Sequence, residues 1–109
     1  MPDDFYCDEV LSGRTPVEIV CETEQVLAFR HTRPHWAVHV VVIPKRHIPS
    51  ILEVTPEDSS VVDELLAVVW KVAADLTKSE GGCHLVTNTG SYQESKHLHV
   101  HVGAGEVRG

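Results

Sequence analysis

His97-Leu98-His99-Val100-His101-Val102 carries an imidazole at every second position, with apolar residues between. Alternate side chains of a β-strand project to opposite faces, so this spacing predicts a strand with three histidines in a row on one face and Leu98, Val100 and Val102 in the core. Working outward, Val38-His39-Val40-Val41-Val42-Ile43 is the most β-branched run in the chain and predicts a central strand, ended by Pro44. His39 has Val38 and Val40 on its opposite face, and its imidazole joins the row if the two strands are neighbours.

The remaining elements follow from period and punctuation. Residues 17–21 alternate, residues 22–25 are polar, and residues 26–29 are apolar again, the pattern of a β-hairpin. Residues 30–37, which hold Pro34, read as a loop. Thr55-Pro56-Glu57-Asp58 opens a helix: a capping hydroxyl, a proline whose missing N–H costs nothing there, and acids at the positive end of the dipole. The helix runs to about Lys78, with Val61, Leu65, Val68, Val69, Val72 and Leu76 at helical spacing. Val62, Leu66 and Ala73 widen that stripe beyond what one sheet face covers, and the excess is expected to meet a second subunit. Gly81-Gly82 ends the helix, residues 84–87 form a fourth strand, and Asn88-Thr89-Gly90-Ser91 turns toward the histidine strand. The sum is an α+β fold, a five-stranded antiparallel sheet around one long helix, as one domain over residues 1–109.

The 109 residues suit one core. Sixteen acids against nine Lys and Arg give a formal charge of −7, which argues against a nucleic-acid or anionic-membrane partner but leaves room for one phosphate held by local donors. Cys7, Cys21 and Cys83 make neither an even disulfide set nor a Cys-x-x-Cys pair, and no run approaches membrane-spanning length. With no apolar leader at residues 1–4, the expectation is a reduced, cytoplasmic protein.

Three readings of the histidine row stand side by side. Alternate polar residues of an antiparallel strand can simply face solvent, though Thr, Lys or Glu would serve as well. His-x-His with a third ligand can hold catalytic zinc, which calls for acids behind the rings, and only Glu94 is near in sequence. Finally, a neutral imidazole can attack phosphorus and hold the product covalently while its neighbours carry charge to the phosphoryl oxygens.

The residues that define the row also carry a family resemblance. His97 to Val102 resembles the His-φ-His-φ-His-φ-φ signature of the histidine-triad (HIT) superfamily, with Gly103 where the last apolar residue stands. Residues 38–48 resemble that family's His-φ-φ-φ-Ile-Pro-Lys-x-His segment, and Leu27-Ala28-Phe29 and Asn88-x-Gly90-Ser91 match too, so the likeness covers about residues 5 to 104. The short Hint-type branch is the more similar one. The resemblance implies a short N-terminal helix, a homodimer with a continuous sheet, and hydrolysis of purine nucleoside phosphoramidates or related nucleotidyl substrates at the α-phosphate, with an AMP- or GMP-type nucleotide as ligand. A nucleotide-binding regulatory module with little turnover is the alternative, and a metalloprotein that uses the triad as ligands is a third.

Carried over by motif, His99 is the nucleophile, and His101 and His39 bind phosphate oxygens. The His97 carbonyl holds the far nitrogen of His99, and Gln93 lies near the leaving group. Asn88 contacts phosphate or ribose, while Phe29, Tyr6 and Phe5 line a base pocket. His31 stands where the family usually has a ribose-binding Asp, and Glu94 where it has Ser or Thr, with Ser95 displaced by one. No cofactor is required for the chemistry. A structural zinc is implied at Cys7, His47, His97 and Asp4, the last in place of a cysteine. His35, Trp36 and His84 match no motif, and Lys45 and Arg46 are candidates to steer anions.

Overall fold

The computed structural model describes residues 5–108. Its sheet has five strands, β1 (Ile19–Glu22), β2 (Val26–Arg30), β3 (Trp36–Pro44), β4 (His84–Val86) and β5 (Val100–Val107), in the order β1-β2-β3-β5-β4. All four pairings are antiparallel. Helix α1 (Ser59–Glu80) lies across one face. Val61, Leu65, Val68, Val69, Val72 and Leu76 pack there on Val26, Ala28, Val40, Val42, Leu98, Val102 and Ala104. The opposite face is covered by a π-helical turn, Tyr6–Leu11, whose Tyr6 and Val10 pack on Leu27, Phe29, Val41 and Ile43. Successive residues of β3 therefore alternate between the two layers, and every residue from His39 to Pro44 is buried.

Several expected boundaries shift. The start of α1 is a 3-10 turn over Pro56–Asp58, where the Thr55 N–H donates to the Asp58 carboxylate at 2.9 Å, and Gly81 closes the helix at φ 90°. The loop expected over residues 30–37 is shorter, because β2 extends to Arg30 and β3 begins at Trp36. The turn expected after β4 continues as a 3-10 turn, Gly90–Tyr92. The last strand begins at Val100 rather than His97 and runs on to Val107. His97 to His99 approach it as a bend and irregular chain held by the Leu98 N–H on the Ile48 carbonyl at 2.6 Å.

The second apolar set on α1 is only partly covered. Leu66 and Trp70 are exposed, Trp70 at 65%, next to Ile51 and Leu85. Among the described residues no helix is long and apolar enough to cross a membrane. Lys45 pairs with Glu22 at 2.6 Å and Arg46 with Asp58, so both cations meet acids of the chain itself.

Candidate active site

Strand pairing assembles the row. Val41 lies opposite His101 and His39 opposite Gly103, which makes His39 and His101 diagonal neighbours on the face away from α1. His39 Nε2 is 2.9 Å from His101 Nδ1. The rings then run on from His101 to His99 at 4.8 Å between centroids and, at the other end, from His39 to His31 at 4.4 Å, stacked. The row is not an open face, however. His97 and His99 are 0% and 4% exposed, with Tyr6 of the N-terminal turn laid on His99 at 4.9 Å and on His97 at 5.9 Å, and His39 is 5% exposed between His31 and Trp36. The solvent-face reading of the row is thereby overturned.

Main-chain partners assign each ring its tautomer. A carbonyl only accepts, so His97 carries its proton on Nε2, 2.8 Å from the Pro44 oxygen, and His99 carries its proton on Nδ1, 2.7 Å from the His97 oxygen. The lone pair of His99 is thus on Nε2. At the other end the main chain supplies donors. The His35 N–H donates to His39 Nδ1 at 2.8 Å and the Arg33 N–H to His31 Nδ1 at 2.9 Å, which puts the ring protons of both on Nε2. His39 Nε2–H then donates to His101 Nδ1, and the His101 proton sits on Nε2.

His31, His39 and His101 are neutral rather than charged near pH 7. Burial, then His31 and His35, push His39 down to about 4. Burial, then His99, His39, His31 and His35, push His101 down to about 3. His31 is lowered too, by burial and then by His99, against an opposing pull from Glu94 and the Arg33 N–H. Packed together and at least half-buried, His31, His39 and His101 act near pH 7 as fixed N–H donors.

Among the described residues, two groups of three side chains have donor atoms within 4.8 Å of one another: Cys7, His47 and His97, and His31, His39 and His101. The first suits zinc. With its proton on the Pro44 carbonyl, His97 turns the Nδ1 lone pair toward Cys7 Sγ at 3.3 Å, and the His47 ring lies 5.4 Å from it. These are three of the four positions that the resemblance implies, and Asp4 falls outside the described residues. The second group does not suit a metal. His31 and His39 keep their lone pairs on Nδ1, where backbone amides already use them, and present N–H at Nε2.

The other sequence-derived residues divide. Phe29 is sealed in the apolar cluster under Tyr6, and Phe5 is only partly buried beside it, so Phe29 reads as core rather than base pocket. Gln93 is buried and donates from Nε2 to the Pro49 carbonyl at 2.5 Å. Ser95 is buried and accepts the Phe5 N–H at 3.1 Å, tying the N-terminal turn to the approach of the triad. Glu94, between them, is exposed. Asn88 is half-buried in the connection after β4, next to Thr87. The sequence carried no signal for Thr87, whose hydroxyl donates to the His99 carbonyl at 2.8 Å. Nor did it for Trp36, whose indole lies 4.9 Å from the His39 ring.

A strand-borne imidazole pair extended by a nitrogen-pinned histidine defines a class, and comparison with known proteins agrees. Residues 5–107 match the family model described as "Scavenger mRNA decapping enzyme C-term binding". An uncharacterized HIT-like protein of Synechococcus elongatus is 36% identical over 107 residues, 96% of this chain and 93% of its own. The purine nucleoside phosphoramidase of Escherichia coli is 28% identical over 111 residues, 100% of this chain and 93% of its own. A crystal structure of a HIT family hydrolase from Legionella pneumophila superposes with a TM-score of 0.82 at 35% identity, covering 94% of this chain and 93% of that one. The chain belongs to the histidine-triad family.

Proposed function

We propose that this protein is a hydrolase of purine nucleoside phosphoramidates or related nucleotidyl substrates, working at the α-phosphate through a covalent nucleotidyl-His99. The observation that carries the reading is the 2.7 Å contact between His99 Nδ1 and the His97 carbonyl, which assigns the lone pair to Nε2. In this reading Nε2 attacks phosphorus, the P–N bond to the amine breaks, and the amine leaves with a proton taken from solvent. Water then attacks the same phosphorus and gives up a proton to solvent, and the bond to His99 breaks with its electron pair returning to Nε2, which releases the nucleoside monophosphate. His101 and His39 supply N–H groups to the phosphoryl oxygens, Gln93 and Glu94 stand on the leaving-group side, and Asn88 and His31 meet phosphate or ribose. Zinc held by Cys7, His47 and His97 would fix the N-terminal turn to the first triad histidine as a structural ion.

The E. coli relative's name supports the substrate class, and the coverage of nearly the whole of both chains supports the transfer. The uncovered α1 surface, with Leu66 and Trp70 beside Leu85 of edge strand β4, supports a homodimer whose sheets join at β4. A second reading, nucleotide binding with little turnover, is favoured by one observation: His99 is only 4% exposed, with Tyr6 packed 4.9 Å from its ring. Incubation with adenosine 5′-phosphoramidate separates the two. AMP release that falls by about a thousandfold or more in His99→Ala supports the hydrolase. Binding without release supports the module.

A further inference from the structure

The place where this chain departs from its family signature, Gly103, is occupied by another residue's side chain. Any Cβ on Gly103 would overlap Cε3, Cδ2 and Cζ3 of Trp36, so the indole fills the space that a side chain at position 103 would take. The register explains what that space borders. Gly103 lies directly opposite His39 on β3 and opposite His84 on β4. Trp36 reaches over the gap from the start of β3, where the pairing is irregular between Trp36 and Val38, and Gly105, at φ 85° and close to Ala37, lets β5 follow that irregularity. Its ring packs on His39 at 4.9 Å, stacks on His84 at 5.4 Å and meets His35 edge-on at 4.8 Å. The three residues without a motif, His35, Trp36 and His84, thus gather around one member of the histidine row.

We infer that Trp36 is a positioning residue: seated in the Gly103 gap, its indole holds the His39 ring on the His35 N–H and so fixes the direction in which His39 Nε2–H meets His101. The lateral flank of His39 has no other occupant at the opposite position, since glycine offers none. The His35 amide fixes the ring nitrogen, and the Trp36 ring, with stacked His31 at 4.4 Å, fixes the ring plane. The inference rests on the proposed chemistry for its rate consequences only. The geometry of His39 is measurable without any substrate.

The test is a double-mutant cycle of Trp36→Ala, Gly103→Val and both together, read by nitrogen-15 NMR of the imidazoles and by kinetics on adenosine 5′-phosphoramidate. In each single variant the His39 and His101 signals are expected to leave the pure Nε2–H tautomer while those of His99 stay, and kcat to fall about tenfold or more with KM within about threefold. In the double variant valine fills the gap from β5, and at least half of the loss, on a logarithmic scale, returns. If Gly103→Val does not fold, Trp36→Ala and the double variant carry the comparison. Unmoved His39 and His101 signals in folded Trp36→Ala overturn the inference, as does a normal kcat in that variant while His99→Ala is inactive. If the wild type does not turn over the phosphoramidate, the proposed function fails, and the NMR signals still decide the role of Trp36.

Discussion

Acid should loosen this protein through the pair at the centre of the row. An unfolded imidazole binds its proton near 6.5, whereas folded His39 does so at about 4 and His101 at about 3. Between those values the unfolded chain holds protons that the native one refuses, so stability rises with pH. The contribution is complete above about 6.5 and is lost as the pH falls toward 4. One such group contributes a slope of about 1.4 kcal/mol per pH unit. The two rings share a hydrogen bond, and His39 is among the causes that lower His101, so their effects do not add in full. Counting the pair as one group, descent from about pH 7 to about pH 4.5 costs roughly 2 kcal/mol, a sizeable part of the 5–15 kcal/mol typical of a domain. Urea denaturation across that range, on the wild type and on His39→Gln/His101→Gln, measures it. Carboxylates and the other six histidines titrate in both proteins and cancel in the difference. The double variant is expected to lose stability more gently on acidification. Parallel slopes would refute the neutral-donor account of the row.

Two further outcomes follow from the surroundings of the row. Zinc titrated into apoprotein is expected to bind at about one ion per chain, to be lost in Cys7→Ser and in His47→Ala, and to persist in His31→Ala; metal analysis after gel filtration reads all three. Trp70→Glu is expected to weaken self-association by about 2 kcal/mol or more while leaving the circular dichroism spectrum unchanged, which sedimentation equilibrium over a concentration series measures.

Much of the fold was legible because period and punctuation agree in this chain. The β-branched run from Val38 to Ile43 became β3, and the apolar residues of α1 spaced from Val61 to Leu76 are the buried ones. The alternation of residues 97–102 correctly put His101 and His39 on one face, since both strands are real and adjacent. It misplaced the start of β5 because His97 to His99 bend toward the sheet before any strand pairing begins, and their hydrogen bond to Ile48 comes from a loop that no periodicity announces. The burial of the row was equally invisible. The cover of His97 and His99 is Tyr6, and the sequence does not say which face of the sheet a short N-terminal turn will choose. Trp36 was read as part of a loop because Pro34 precedes it. Its place depends on a gap at Gly103, far along the chain, so the two departures make sense only as a pair.

One residue type does different work along the row because the main chain offers it different atoms. Where a carbonyl meets the ring, as Pro44 meets His97 and His97 meets His99, the proton is drawn to that side and the lone pair is left on the other nitrogen, as a ligand or a nucleophile requires. Where an amide meets the ring, as at His31 and His39, the lone pair is used and an N–H is left, as a phosphoryl oxygen requires. The change falls between His99 and His101. His97 stands on both sides of the design: its side chain faces the cysteine and its carbonyl orients the next histidine. An ion at Cys7 and a phosphoryl group at His99 would therefore be neighbours without competing, since the nitrogen that suits each is denied to the other by the backbone.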